Sequence, residues 1–398
     1  MNELRHRRTV CQPSLIQGVV SILLLACLWC AVGWISSYRN KLQRHSAPKK
    51  SQKGHDECPF TIRQLNKTTY LIRENDQFGE YPHIYVKKHT ETLPNGQRAS
   101  VFIVNDTGCG TTTRTHTTKN HEWNIQTFIE HHLNPNNDNI PYLIILSHCH
   151  YDHILGLDPF LHPTQHHRST TISSSSHDRN FLHPQSHLIQ HSLCASMNLQ
   201  CPNYTTTFWA HDHHRLTIPH PQLTTPLLLP ITTLHTPGHT PDSLSWYDED
   251  ERALYVGDSL YERESMESRC SPWGREAPAP ILFPSEGDLT EWWRSVHVLL
   301  GFVGEKNKMV GRGRVTLSPG HVSVGVDAVV CLLGVNGFMA RVLRGDVEVQ
   351  EQPEKRGERF GSWVEEGGRF SLGAPLRVVE EGRLGIPEDE WRYCEKLG

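Results

Sequence analysis

Short apolar runs alternate with polar, glycine- and proline-containing segments along most of the chain. Residues 142–146 read Tyr-Leu-Ile-Ile-Leu, without a charge. A short, partly β-branched run of this kind predicts a buried strand. The other runs that predict strands are residues 69–73, 83–87, 227–234, 253–256 and 314–317.

Helices are predicted at four places between these strands. Residues 122–133 form a plausible helix ahead of the strand at 142–146, and residues 322–343 form another despite their glycines. Ser186 is a candidate N-cap for a helix through residue 199, and Asp288 for one through about residue 303. In the helix that Asp288 begins, Trp292, Val296 and Leu300 share one face.

The N-terminus differs from the rest because residues 9–38 carry no charge. The apolar segment at about 14–36 is long enough to cross a bilayer, which predicts a transmembrane helix and a single-pass membrane protein. A cleaved signal peptide is the alternative. The excess of Lys and Arg in residues 39–53 favours a cytosolic catalytic domain. The sequons at Asn66, Asn105 and Asn203 would be usable only in a lumen, so the side of the membrane stays open.

Four segments are expected along the 398 residues. Residues 1–38 hold the transmembrane helix, and residues 39–58 are a basic, polar linker. Residues 59–345 form the main domain. Residues 346–398 are a charged C-terminal tail, and its spaced aromatic residues predict that it packs on that domain.

The densest group of chemically capable side chains follows the strand at 142–146. Residues 147–153 read Ser-His-Cys-His-Tyr-Asp-His. His148 and His150 are two apart, so in an extended segment they project to the same side. Asp152 and His153 follow where the chain turns, and this segment could therefore supply ligands to two adjacent metal ions. A solvated surface stretch is the alternative, because the chain has 27 His; Cys149 points away from the metals and is expected to be a packed free thiol.

Three later fragments repeat the arrangement of a single ligand just past a strand. They are Thr-Pro-Gly-His239-Thr, Tyr-Val-Gly-Asp258-Ser and Leu-Ser-Pro-Gly-His321. Each has a glycine beside the ligand, which allows a tight turn at the strand end.

Together and in this order, the motifs resemble the metallo-β-lactamase superfamily of binuclear hydrolases over roughly residues 65–345. The resemblance implies an α+β fold, a four-layer αββα sandwich in which two sheets pack face to face with helices outside. The transmembrane helix would precede it. Residues 100–108 look like the family's strand followed by its Asp-x-Gly turn.

The resemblance also assigns the residues of the site. His148, His150 and His239 would hold the first metal ion, and Asp152, His153 and His321 the second. Asp258 would bridge both ions. Asp106 would orient a ligand from behind without binding metal.

This ligand set implies two Zn²⁺ ions, with iron or manganese as alternatives. Two such cations can share a hydroxide that attacks an ester, thioester, lactone or phosphodiester, and Asp152 would orient it and carry protons. Zinc β-lactamases of the family usually have Cys where Asp258 stands, which disfavours antibiotic hydrolysis. The flavin-linked di-iron members carry Glu at the position of His150, which disfavours oxygen or nitric oxide reduction.

The leading functional hypothesis is a membrane-anchored hydrolase of an ester, thioester or lactone, with a small-molecule or lipid-like substrate. A phosphodiesterase of the same superfamily, including a lipid phosphodiesterase, is the second hypothesis. A non-catalytic, membrane-tethered binding protein is the third. The net charge of −4 and the lack of a basic block in the catalytic region argue against a nucleic-acid partner. The 11 Cys have no dense spacing that would indicate a disulfide scaffold.

Overall fold

The structure is a computed structural model that describes residues 58–393, apart from Pro94, residues 115–121 and residues 162–167. In chain order its strands are β1 (Phe60–Gln64), β2 (Thr69–Glu74), β3 (His83–Thr92), β4 (Arg98–Asn105), β5 (Thr113–Arg114), β6 (Glu122–Trp123), β7 (Tyr142–Ile145), β8 (Thr170–Ser175), β9 (Phe208–Ala210), β10 (His214–Ile218), β11 (Leu227–His235), β12 (Leu244–Asp248), β13 (Ala253–Tyr255), β14 (Ile281–Leu282), β15 (Thr316–Ser318), β16 (Val326–Asp327), β17 (Gln350–Lys355), β18 (Glu358–Val364) and β19 (Ser371–Pro375).

The helices are fewer and mostly short. They are α1 (Ile125–Leu133), α2 (Tyr151–Ile154), α3 (Asp158–Leu161), α4 (Arg179–Leu182), α5 (Gln185–His191), α6 (Met266–Arg269), α7 (Leu289–Asn307), α8 (Ala328–Arg344), α9 (Leu376–Gly385) and α10 (Glu388–Tyr393), with 3-10 turns at Leu155–Leu157 and Ala195–Met197.

Two large sheets lie face to face. The first has the strand order β1-β2-β3-β4-β7-β8-β9 and the second β10-β11-β12-β13-β15-β16. Between them lies one apolar layer that includes Leu143 and Ile145 from the first sheet and Trp246 and Tyr255 from the second. The alternate residues of β7, Tyr142 and Ile144, belong to a separate core. Both faces of this strand are buried, which is why its sequence is a continuous apolar run.

The two outer cores complete four layers. On the far side of the first sheet, α1 contributes Ile125, Phe128 and Ile129 to one core. On the far side of the second sheet, α7, α8 and α9 form the other core. The predicted αββα sandwich is confirmed for the described residues.

A buried ion pair joins the two sheets. Lys87 on β3 donates from Nζ to both carboxylate oxygens of Asp248 on β12, at 2.8 and 2.7 Å. Neither side chain is exposed to solvent. Each charge therefore depends on the other, because a buried charge without a partner is costly.

The predicted helices agree with the structure to different degrees. Asp288 does begin α7, accepting hydrogen bonds from the backbone of Thr290 and Glu291. The helix predicted over 186–199 is wrong: α5 ends at His191, and a 3-10 turn follows. Leu193 has a positive φ of 64°, which a continuous helix cannot contain.

The described residues from 346 to 393 form strands and helices that pack against the sandwich. Strands β17, β18 and β19 make a four-stranded sheet with β14, which belongs to the segment before α7. Trp363, Phe370 and Trp391 are buried in the core that α7 and α8 form. The domain limits given by the sequence stay predictions.

The localisation prediction, a single-pass membrane protein, is corrected. Within the described ranges, every helix is too short or too polar to span a bilayer. The longest, α7, has 19 residues but carries Glu291, Arg294 and Lys306 among them, and its apolar face packs in the core. The segment predicted to span at about 14–36 lies outside the described residues.

Candidate metal centre

The residues 147–153 lie where the central strand β7 leaves the first sheet. β7 runs parallel to both of its neighbours, β4 and β8. After its end the chain bends at Ser147, becomes extended at His150, whose ψ is 152°, and then turns into α2. His148 and His150 therefore lie in the connection between β7 and α2, and Asp152 and His153 lie in the helical turn.

The second sheet brings the other three residues to the same place. His239 follows β11, Asp258 follows β13, and His321 follows β15. Two glycines make the close approach possible. A Cβ on Gly257, which has a φ of +52°, would lie 2.7 Å from Ser147, and a Cβ on Gly320 would lie 2.5 Å from an oxygen of Asp258.

The first cluster consists of His148, His150 and His239, all buried. His148 Nε2 lies 2.9 Å from His150 Nδ1 and 3.2 Å from His239 Nε2, and the last two atoms are 3.1 Å apart. Three ring nitrogens thus form a nearly equilateral triangle. Its edges are close to the spacing of three nitrogens that share one tetrahedral zinc ion at bonds of about 2.0–2.1 Å.

Hydrogen bonds behind this triangle decide which nitrogens carry the protons. His239 Nδ1 donates to the carbonyl oxygen of Leu282 at 2.7 Å. The Ser147 hydroxyl donates to Asp106 at 2.8 Å, so it accepts from His148 Nδ1 at 3.0 Å. Both Nε2 atoms therefore point lone pairs at each other across 3.2 Å. Two facing lone pairs repel, and a cation between them would remove this repulsion.

The second cluster consists of Asp152, His153, Asp258 and His321, also buried. His153 Nε2 lies 3.4 Å from Asp152 and 3.3 Å from Asp258. His321 Nε2 lies 3.2 and 3.4 Å from the same two carboxylates. Two buried atoms of this cluster, His153 Nε2 and Asp258 Oδ1, make no hydrogen bond. Orphaned buried polar atoms of these types fit a metal ion.

The imidazoles of the second cluster are oriented in the same way as those of the first. His153 Nδ1 donates to Asp106 Oδ2 at 3.0 Å, and His321 Nδ1 donates to the carbonyl oxygen of Glu80 at 3.0 Å. Both Nε2 atoms then face the carboxylates. Outer partners of this kind fix the ring orientation and the tautomer of a histidine that binds metal.

Asp106 acts as the hub behind both clusters. It is 1% exposed, and its φ is +60°, a left-handed conformation that aspartate tolerates at a turn. Besides His153, its carboxylate accepts from the Ser147 backbone at 2.7 Å and from the Asn105 amide at 2.9 Å. Asn105 in turn accepts from Trp246 at 2.6 Å. Asp106 thus ties β4, β7 and the second sheet together at the site.

The histidines and aspartates of the second cluster form ion pairs with one another. Burial opposes ionisation, but Asp152 and Asp258 hold the pKa of His153 well above its usual value. The same carboxylates raise the pKa of His321. The histidines in return keep the pKa of Asp152 and of Asp258 well below the usual value. In the first cluster, burial and neighbouring histidines lower the pKa of His148 and of His150, so these rings stay neutral.

Two groups that support the site have no signature in the sequence. They are the carbonyl oxygens of Leu282 and Glu80, which accept from His239 and His321. Asp76 holds the loop that contains Glu80. Its carboxylate accepts hydrogen bonds from four successive backbone N–H groups, those of residues 78–81. Asp76 could have been recognised only as an acidic residue ahead of a glycine turn.

Every residue predicted for the site lies in it. All seven candidate ligands fall in the two clusters, and the rings of His148 and His153 are 4.2 Å apart between centroids, so the clusters adjoin. Cys149 is buried in the core beside the helices and lies outside both clusters. His211, His213 and His214 are exposed. Metal binding by the seven residues, the catalytic role of Asp152, the bridging role of Asp258 and the support role of Asp106 stay predictions.

Fold and site together define an αββα protein with two adjoining His/Asp clusters that could bind metal at the strand ends. The family model of the metallo-beta-lactamase superfamily matches residues 103–321, more than half of the chain. The chain belongs to this superfamily, which is metal-dependent and whose members are mostly hydrolases.

The individual relatives share between 12% and 29% of their aligned residues with this chain. A protein of Aspergillus versicolor, "Putative transcription factor avaE", is 29% identical over 307 residues, covering 74% of this chain and 79% of its own length. A beta-lactamase domain protein from Burkholderia ambifaria is similar in structure, with a TM-score of 0.42, 12% identity, and 75% and 80% of the two chains covered. A metallo-beta-lactamase family protein from Thermus thermophilus gives a TM-score of 0.42, 16% identity, and 73% and 85% covered.

Proposed function

We propose that the protein is a metal-dependent hydrolase that cleaves an ester, a thioester or a lactone. One observation carries the proposal. Seven buried histidines and aspartates form two adjoining clusters whose free nitrogen and oxygen atoms converge. A binding protein without catalysis would not need this complete set.

The donor set fits two zinc ions. His148, His150 and His239 would hold one, and Asp152, His153, Asp258 and His321 would hold the other. Imidazole and carboxylate donors without a thiolate suit Zn²⁺, with iron or manganese as alternatives. When bound, two such cations lower the pKa of water towards neutrality and polarise a carbonyl oxygen.

The chain's own residues supply orientation and proton transfer. Asp152 is 6% exposed and remains a carboxylate, because His153 and His321 keep its pKa low against the effect of burial. It can accept a hydrogen bond from the attacking water and hold the proton that this water releases. Asp106 keeps the ring of His153 fixed during these steps.

Charge at the site favours a neutral acyl substrate over a phosphodiester. The strongest charge effects on the seven cluster residues come from one another and from Asp106, and no arginine or lysine of the described residues is among them. Beside Asp152 lies another carboxyl group, that of Glu80. Phosphate recognition commonly uses Arg or Lys in addition to metal ions.

The name of the Aspergillus versicolor relative describes that protein. For this chain, a metal-dependent reaction explains the two buried clusters, whereas binding to DNA would draw on basic side chains that contact phosphates. We therefore do not propose that this chain is a transcription factor.

A hydrolysis screen tests the proposal. The purified full-length protein is assayed with p-nitrophenyl esters, acyl thioesters, lactones and bis-p-nitrophenyl phosphate, next to His150→Ala and the control His213→Ala, which changes an exposed ring. We expect acyl hydrolysis by the wild type and the control, and a loss of at least about 100-fold in His150→Ala. Equal rates in wild type and His150→Ala would refute the proposal, and faster phosphodiester cleavage would establish the phosphodiesterase alternative.

A further inference from the structure

Two cysteines lie together beside the metal centre without taking part in it. Cys194 begins the 3-10 turn Ala195–Met197 that follows α5, and the backbone of Leu199 donates to the carbonyl oxygen of Cys194 at 2.8 Å. This turn folds the chain back, so that Cys194 and Cys201 both contact the hydroxyl group of Ser192, while the thiol of Cys201 donates to the carbonyl oxygen of Pro202 at 3.7 Å.

Ser192 connects the pair to its surroundings. Its hydroxyl donates to the sulfur of Cys201 at 3.6 Å and accepts from the backbone of Cys194 at 3.4 Å. Its carbonyl oxygen accepts from the backbone of Tyr151 at 2.9 Å. Tyr151 is the first residue of the helix that carries Asp152 and His153. The two thiols are therefore held in place next to the metal centre.

We propose that Cys194 and Cys201 are a modification site, a dithiol that a peroxide oxidises to an intramolecular disulfide. This proposal does not depend on the hydrolase activity. A small oxidant such as hydrogen peroxide is required, because Cys194 is 0% exposed and Cys201 is only partly exposed.

The difference between the two thiols suits the reaction. The interaction with Cys201 lowers the pKa of Cys194 to about 7 against the effect of burial, and the same interaction raises the pKa of Cys201. Of the other groups that face the pair, Asp152 opposes the thiolate of Cys194, and Cys149 and Tyr204 stay protonated since burial raises their pKa values well above the usual ones. A thiolate is the nucleophile in thiol oxidation, so Cys194 is the sulfur that reacts first.

The reaction balances in two steps. The thiolate of Cys194 attacks one peroxide oxygen, the O–O bond breaks, and the products are a sulfenic acid and a hydroxide that takes a proton to become water. The sulfur of Cys201 then attacks the sulfur of Cys194, the S–O bond breaks, and the leaving hydroxide takes the thiol proton of Cys201 as the second water. Two thiols are oxidised, and one peroxide is reduced to two waters.

Peptide mapping tests the proposal on the intact chain. Reduced protein is treated with hydrogen peroxide, denatured, alkylated and digested with trypsin. The tryptic peptide 180–215 contains Cys194, Cys201 and no other cysteine. We expect this peptide to lose two hydrogens, to take up no alkyl group, and to regain two alkylation sites after treatment with dithiothreitol. The control Cys270→Ala, which removes an exposed thiol, should give the same result.

A second variant tests whether Cys201 increases the reactivity of Cys194. In Cys201→Ala, Cys194 loses the neighbouring thiol that lowers its pKa, so we expect peroxide to oxidise it roughly fifty-fold more slowly at about pH 7. Two free thiols in peptide 180–215, at a peroxide dose that fully oxidises Cys270, would overturn the proposal. A disulfide from Cys201 to Cys149 instead of Cys194 would overturn it as well.

Discussion

Replacing Asp106 with asparagine should weaken metal binding more at the second cluster than at the first. The carboxylate of Asp106 accepts from His153 Nδ1 at 3.0 Å, from the Ser147 backbone at 2.7 Å and from its hydroxyl at 2.8 Å. Asparagine would keep one acceptor oxygen and turn an amide NH₂ towards His153. Two donors would then face each other, and His153 could relieve the conflict only by moving its proton to Nε2. That shift removes the lone pair with which His153 Nε2 would bind a metal ion.

The size of the effect follows from the hydrogen bond that the substitution removes. Removing the outer hydrogen-bond partner of a histidine ligand lowers metal affinity by about 10–100-fold, or about 1.4–2.7 kcal/mol. A hydrogen bond to a charged group is worth about 1.5–3 kcal/mol on its own, which is the same range. The second cluster loses one such bond at His153. In the first cluster, His148 is affected only through Ser147.

The assay is a zinc titration of metal-free protein, followed by calorimetry or by competition with a chromophoric chelator. We expect two sites in the wild type and in Asp346→Asn, a control that changes an exposed carboxylate. In Asp106→Asn, the second cluster should lose the stated factor, and the first cluster should lose less, because Asp106 reaches His148 only through the Ser147 hydroxyl. Wild-type affinity at both sites of Asp106→Asn would refute the role assigned to this residue.

Three further predictions concern the scaffold. Lys87→Met should lower the free energy of unfolding by about 3–5 kcal/mol in urea denaturation, because it leaves the buried carboxylate of Asp248 with two backbone hydrogen bonds but without its cationic partner. Gly320→Ala should reduce zinc stoichiometry, because its Cβ would lie 2.5 Å from a carboxylate oxygen of the second cluster, whereas Gly313→Ala has open space and should bind as the wild type does. Burial raises the pKa of Glu74 to about 7 in the folded state, whereas its pKa in the unfolded state is near 4.5. Between these two pH values the folded protein keeps the carboxyl proton of Glu74 and the unfolded protein has released it. Stability should therefore fall as pH rises from 4.5 to about 7, by up to about 3 kcal/mol, and Glu74→Gln should lack this component in urea denaturation at about pH 5 and about pH 8.

Each of these has a result that would contradict it. An unchanged urea midpoint in Lys87→Met would mean that the ion pair between the sheets contributes nothing. Full zinc binding by Gly320→Ala would show that the turn can move away from Asp258. An identical pH dependence in Glu74→Gln and in the wild type would assign that dependence to other groups.

The positions of the seven clustered residues could be predicted because each lies in a segment that follows a strand. His148 follows β7, Asp258 follows β13 and His321 follows β15. Strand ends from two packed sheets meet at one edge, and histidine and aspartate are residue types that commonly bind metal ions. The glycines at 257 and 320 could be predicted too, because close packing behind a ligand leaves no room for a Cβ.

The contacts that orient the rings could not be predicted, because they are made by backbone atoms. His239 is oriented by the carbonyl oxygen of Leu282 and His321 by that of Glu80. Every residue has a carbonyl, so only the three-dimensional path of the chain decides which one is used. The long-range pairing of β14 with β19 is hidden for the same reason, since Ile281 and Leu372 come together only in the folded chain.

The start of α8 illustrates how a site can override local preference. The sequence predicted a helix from residue 322, but α8 begins at Ala328, capped by Asp327. Val322 instead adopts a φ of +58°, which is unusual for a β-branched residue. This turn leads the chain away from His321 while the ring stays aimed at Asp152 and Asp258. Backbone strain of this kind clusters at functional sites.

Metal analysis of the purified protein tests the central claim most directly. The full-length chain, prepared without chelators, is measured by elemental mass spectrometry together with the double variant His148→Ala/His321→Ala, which removes one histidine from each cluster. We predict about two equivalents of zinc, iron or manganese in the wild type and nearly none in the double variant. Less than about one equivalent in the wild type, or equal content in both proteins, would contradict the assignment of the two clusters as a metal centre.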